Sequence, residues 1–168
     1  KAIVELENQL RDPQSIPAVY PKRIAGNCLP HIDVFNPNGF TKEELKMVYE
    51  TQKILGDESI EINATTVRVP VFYSHSESVT ATFHQQPNIL EVRERLIQAP
   101  GIVMMDDPDQ LEYPTPLIVA GKDETFVGRI RQDLFDPHTI SMWVVADNLR
   151  KGAATNAVQI LETMESMK

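Results

Sequence analysis

Residues 41–56, TKEELKMVYETQKILG, specify one helix from start to stop, and everything around it must fold by other rules. Thr41 followed three residues later by Glu44 is a capping-box pattern: the hydroxyl accepts one orphan N–H and the carboxylate returns to bind another. Leu45, Val48 and Leu55 supply the stripe to be buried, and Gly56 supplies the left-handed residue that ends the helix. Upstream, KAIVELENQL repeats Ile3, Val4, Leu6 and Leu10 near helical spacing, and Pro13 closes it. A polar loop with Pro17, Pro21, Pro30 and Pro37 leads back to Thr41.

Downstream the pattern changes. Stretches rich in Val, Ile, Thr and Phe predict strands at 61–72, 79–84, 102–105, 117–120, 126–131 and 140–146. Helices are expected at 89–98, after Pro87, and at 152–164. Strands interrupted by helices at irregular intervals predict an α+β fold with helices packed on one face of a sheet. The 168 residues, 42% of them hydrophobic, suit a single domain with one core.

Charge and hydropathy exclude several classes of partner. With 24 acidic and 16 basic residues the net charge is −8, and no Lys/Arg cluster interrupts it, so nucleic acid is not an expected partner. Apolar runs such as PLIVAG fall far short of the ~20 residues that span a bilayer. The start is a charged amphipathic helix rather than a signal sequence, so the chain reads as cytoplasmic, without a membrane partner. One cysteine allows no internal disulfide.

Four residues stand out as candidates for chemistry: Glu43, Lys46, Arg68 and His75. Glu43 and Lys46, three apart on the capped helix, share a face with Glu50 and Lys53, which as bare spacing describes a solvated stripe with ion pairs worth ~0.3–0.5 kcal/mol. Arg68 alternates with Val67, Val69 and Val71, so it faces away from the valines. It either snorkels and pairs structurally or grips a carboxylate with a two-pronged guanidinium. His75 lies in a polar S-H-S-E-S setting just past Pro70, where regular backbone should break. It is either a surface histidine or, because imidazole titrates near neutrality, a general acid and base. Cys28 lacks an electropositive microenvironment and reads as inert. His31 and Asp33 are two apart, but His84 and His138 complete no ligand spacing, so no metal is implied. Arg129 and Arg131 share a strand face, and structural and substrate-facing roles are both open.

In order along the chain, NGFTKEELKMVYETQKILG, VRVPVFYSHSESV, FVGRIRQD and WVVADNLRKGAATNAVQI closely resemble the second half of the aspartate-β-semialdehyde dehydrogenase family. The resemblance implies a mixed, largely antiparallel sheet with helices on one face, like the second domain of glyceraldehyde-3-phosphate dehydrogenase. On it, residues 1–168 are the substrate-binding and dimerisation domain, and NADP is bound by a separate amino-terminal Rossmann domain whose glycine-rich fingerprint and S-N-C-[ST] nucleophile are not among these residues. The family's E-x-x-K falls on Glu43 and Lys46, for substrate ammonium and phosphate. Its carboxylate-binding arginine falls on Arg68, its acid/base histidine on His75, and an asparagine near the nicotinamide on Asn148. Gly26-Asn27-Cys28 only superficially matches the nucleophile motif, because L-P-H-I-D follows it, as in the family's linker.

The reaction so implied is reversible: NADPH reduces L-aspartyl-4-phosphate to L-aspartate-4-semialdehyde and phosphate through a thioester on a cysteine of the other half. This chain alone is then expected to be inactive, and to form a homodimer through its sheet. Two rivals share the fold: a non-catalytic dimerisation module or paralogue, and a glyceraldehyde-3-phosphate-type enzyme. An acid and an arginine for an amino-acid substrate argue against the latter. Seven extended residues cover roughly 23–25 Å, so joint action of Arg68 and His75 requires a bend at residues 70–74.

Overall fold

The computed structural model describes residues 1–167 and divides into two compact units, 1–72 and 73–168. The first unit holds helix α1 (Ala2–Arg11) and helix α2 (Lys42–Leu55), joined and followed by irregular segments. Leu6, Ile24, Ala25 and Leu29 form its buried cluster, with Tyr20 packed against them.

Helix α1 buries Glu5, Leu6 and Gln9, while Val4 and Leu10 are exposed, so half of the expected apolar stripe faces outward. The polar pair is buried because it binds backbone. The Glu5 carboxylate accepts the amides of Ala18, Val19 and Tyr20, and Gln9 Oε1 accepts those of Ile24 and Ala25 at 2.9 and 3.1 Å. Helix α2 carries the expected capping box and a left-handed Gly56 at its end. Its half-buried face includes Leu45 and Val48, but Leu55 is exposed, and Gln52 near the helix end donates its amide to the carbonyls of Glu58 and Ile60.

The strand expected at 61–72 reduces to one antiparallel bridge, Leu29 with Arg68, closed by two bonds of 2.9 Å. The ladder stops for identifiable reasons. Pro70 has no N–H for the next pair. On the other side, the amide of Thr66 is taken by Glu44 Oε1 at 2.9 Å and that of His31 by the Leu29 carbonyl. The valines at 67, 69 and 71 consequently remain about 40% exposed instead of lining a sheet.

The second unit is a four-stranded sheet in the order β1-β4-β3-β2, built from β1 (His75–Thr82), β2 (Ile102–Met104), β3 (Thr125–Gln132) and β4 (Thr139–Ala146). The β1/β4 and β3/β4 pairs are antiparallel and β2/β3 is parallel, so the fold is α+β with a mixed, largely antiparallel sheet. Helix α3 (Ile89–Gln98) is capped by Asn88 and packs against β2 and β3. Residues 117–120 are not a strand: they lie in and just past a one-turn helix, α4 (Pro116–Val119). Pro116 at its first position presets a helical φ, and Gly121 at φ +80° ends the segment. Only Val119 of that turn reaches the core, with Phe126 and Val145, while Leu117 is 82% exposed.

β4 runs into a π-helical turn (Arg150–Ala154) and then α5 (Thr155–Ser166). Asp123 fixes that start by accepting both prongs of Arg150 at 2.7 Å and the Thr155 hydroxyl at 2.6 Å. These bonds, that of Arg150 first, hold its carboxyl down at about 2. Among the described residues no helix is long and apolar enough to cross a membrane.

Candidate active site

In the first unit the chain positions Arg68 from two sides. Its backbone is bridged to Leu29, and its guanidinium lies over the Tyr20 ring, 5.4 Å from the centroid. Tyr20 is in turn fixed by its own amide on Glu5. Arg68 is half-buried and lines a cleft of about 290 Å³ together with Val19, Tyr20, His31 and Asp33. A half-buried guanidinium beside an aromatic wall suits a carboxylate, because the planar fork stays charged and pre-oriented. Asp33, at φ +66°, places a carboxylate in the same cleft, and His31 stacks on Phe35 at 4.5 Å. The sequence pointed to L-P-H-I-D only as a linker. The signal for its role is the bridge from Leu29 to Arg68, which no local pattern carries.

Glu43 and Lys46 are brought together but do not line that cleft. Lys46 Nζ lies 3.2 Å from Glu43 Oε2, and both side chains are partly exposed. The Lys46 ammonium is held above its ordinary pKa, first by this hydrogen bond, then by the charges of Glu43 and Glu50, and less by Asp33. It is therefore a fixed cation. Glu44 is the cap, as expected, and it does more: Oε2 accepts the Thr41 amide at 2.7 Å while Oε1 holds Thr66, two residues before Arg68. Those two backbone bonds, Thr41 first, lower its carboxyl pKa.

In the second unit His75 is the first residue of β1, not part of a broken segment. The break comes one residue earlier, where Ser74 sits at φ +70° and its hydroxyl bonds the Pro116 carbonyl at 3.2 Å. A second departure from extended backbone stands at Pro70, where the Val71 amide folds back to the Val69 carbonyl at 2.8 Å. His75 is exposed and pairs in register with Ala146, two residues before Asn148, so two expected site residues sit at adjoining strand ends. Asn148 is exposed. Its neighbour Asp147, which the sequence did not single out, is buried and shapes that end by accepting the amides of Gly121 and Leu149 at 2.7 and 2.9 Å. Cys28 is exposed.

Among the described residues no strand passes through a glycine-rich turn into a helix, the arrangement that cradles a dinucleotide.

Residues 1–151 match the family described as "Semialdehyde dehydrogenase, dimerisation domain". The chain is similar to the aspartate-semialdehyde dehydrogenase of Aquifex aeolicus, with 53% identity over 98% of the chain and 50% of that protein. The Legionella pneumophila enzyme is 50% identical over 98% of the chain and 49% of its own length. Among solved structures, aspartate semialdehyde dehydrogenase II of Vibrio cholerae, complexed with ASA, superposes with a TM-score of 0.91 at 45% identity, covering 95% of this chain and 48% of that one. The Candida albicans enzyme, solved with NADP, reaches a TM-score of 0.59 at 26% identity, covering 76% and 41%. The chain thus spans about half the length of the curated relatives it matches. By motif order, sheet topology and these likenesses, the chain belongs to the semialdehyde dehydrogenase dimerisation-domain family.

Proposed function

We propose that this chain is the carboxy-terminal, substrate-binding and dimerisation half of a cytoplasmic aspartate-semialdehyde dehydrogenase, acting in the formation of lysine, threonine and methionine. The observation that carries the reading is the chain-wide likeness to enzymes of that name, one of them solved with ASA. A non-catalytic module is the weaker reading for the same reason. In the proposed reaction Arg68 holds the substrate carboxylate, and the Tyr20 ring keeps the guanidinium from rotating away. Glu43 takes the ammonium group and Lys46 the phosphate, which requires that their mutual bond open when substrate arrives. His75 takes a proton from the attacking thiol and returns one to the hemithioacetal or leaving phosphate, a task suited to an exposed imidazole at a strand end.

NADP and the thiol belong to the other half of the enzyme, and the cofactor, when bound, supplies hydride chemistry. The residues of this chain hold the substrate by carboxylate, ammonium and phosphate, which converts binding into a lowered barrier. In the complete two-half enzyme, His75→Ala should lower kcat by ~10²–10⁴-fold with KM little changed. Arg68→Lys should chiefly raise KM for the semialdehyde, because a point charge replaces a fork. Unchanged kcat in His75→Ala, measured by NADPH production from aspartate semialdehyde and phosphate, would remove the histidine from the chemistry.

A further inference from the structure

The β3 strand contains a bulge that changes which side chains reach one face of the sheet. Gly128 pairs with Trp143, but Arg131 pairs with Ser141, so three residues on β3 span two on β4. In an unbroken ladder Ile130 would stand opposite Ser141. Instead Ile130 is 6% exposed and points into the core, while Arg131 takes its place. The bulge is held firmly. Asp106, its side chain 2% exposed, accepts the amides of Arg129 and Ile130 at 2.6 and 3.2 Å and also binds Arg93. Arg129 adopts φ +56°, a left-handed conformation that a non-glycine residue keeps only where its surroundings impose it.

The result is a cleft of about 410 Å³ within the second unit, lined by Arg129, Arg131, Tyr113, Met142, Trp143 and Ser78. Arg131 is braced by its own Nη1, which donates to the Arg129 carbonyl at 2.8 Å, and Trp143 by its indole N–H on the Pro114 carbonyl at 3.0 Å. Among the described residues no carboxylate lines the cleft, although the chain as a whole carries a net charge of −8. Two like cations beside apolar walls, with the nearby Asp106 carboxylate already engaged by Arg93 and two backbone amides, make a local positive field in an otherwise acidic protein. Mostly apolar concavity with a few convergent polar groups is the form of a small-molecule site.

We propose that this cleft binds a small organic anion, a carboxylate or phosphate borne on a flat apolar body. The arginine forks take the anionic group, and the indole and phenol rings take the body. The site uses none of the residues assigned to catalysis, and its test is independent of that assignment.

Trp143 is the chain's one tryptophan, so its fluorescence reports directly on the cleft. The protein is titrated with phenyl phosphate and, separately, benzoate, with inorganic phosphate and phenol as the two half-ligands. We expect a saturable emission change with at least one of the two aryl anions, half-complete at or below ~1 mM. It should weaken at least about tenfold in both Arg129→Gln and Arg131→Gln and be unaltered in Arg95→Gln. Which aryl anion binds tells carboxylate from phosphate. The proposal is overturned by no saturable change up to ~10 mM, by a change that persists in both arginine variants, or by inorganic phosphate binding as tightly as phenyl phosphate. It is also overturned if sedimentation shows Arg129→Gln converting a dimer to a monomer while the native protein ignores both aryl anions, since a second copy would then fill the cleft.

Discussion

Gln9 bonds four groups of its own unit with one residue. Its Oε1 receives the amides of Ile24 and Ala25, its Nε2 donates to Glu5 Oε1 at 3.2 Å, and its carbonyl receives Arg23. Glu5 beside it gathers three further amides. Burial raises the carboxyl pKa, but these backbone bonds and Gln9 together lower it by more, so Glu5 stays ionised. The functional consequence runs through Tyr20, whose backbone Glu5 fixes and whose ring supports Arg68. Gln9→Leu, close in volume, orphans two buried donors at a cost of about 1–3 kcal/mol each. Urea denaturation should show a loss of about 2–6 kcal/mol for the two together, and an unchanged midpoint would mean that the loop amides find other partners. Helical periodicity reads polar residues as solvent-facing, which is why Glu5 and Gln9 were hidden in KAIVELENQL while the apolar Val4 and Leu10 were expected inside.

Elements whose ends are written in side chains were legible, and those decided by distant partners were not. Helix α2 carries its own start and stop in Thr41, Glu44 and Gly56. Residues 61–72 alternate like a strand, but Glu44 and Pro70 remove the donors that a ladder needs. Residues 117–120 look like a buried strand by composition, yet Pro116 turns them into a helix. The β3 bulge is likewise invisible in FVGRIRQD. Its requirement for glycine is steric: a Cβ on Gly128 would meet the Met105 carbonyl oxygen at 2.2 Å and Pro114 Cδ at 2.8 Å. Gly128→Ala should therefore destabilise the fold toward the upper end of the ~1–3 kcal/mol typical of overpacking. Thermal unfolding followed by the Trp143 signal measures this.

At the start of α5 the Asp123 clamp gives a pH prediction. Its folded pKa of about 2 lies below the ordinary 3.8, so its stabilising contribution is complete above pH 3.8 and is lost as pH falls toward 2. Amide exchange in residues 150–160 should stay slow down to pH 4 in the native chain and be faster at neutral pH in Asp123→Asn. Equal rates in the two proteins at neutral pH would show that the clamp holds nothing.

At the scale of the whole molecule, four motifs in order identified the family, and the resemblance they carry, rather than residue type alone, put Arg68 and His75 forward as candidates. What they left out is the cleft around Arg68, because the Leu29 bridge sets Arg68 in one cleft with His31 and Asp33, while Glu5 fixes Tyr20 beneath the guanidinium. The terminal helix shows the same division between local pattern and distant partner. Val158, Leu161 and Met164 recur at helical spacing, yet they are not in a core: they are 55%, 58% and 60% exposed. Side chains so placed gain little transfer free energy on folding, so removing them costs this chain little. We therefore expect Leu161→Glu with Met164→Glu to change the stability of the 168-residue chain by no more than about 0.5 kcal/mol, as for surface substitutions elsewhere. On the two-half reading proposed above, in which this exposed stripe is covered by the nucleotide-binding half, the same double variant in the complete enzyme should lower the melting temperature and raise KM for NADP. A large loss of stability in the isolated chain would instead place this stripe within its own core, and the two-half reading of α5 would fall.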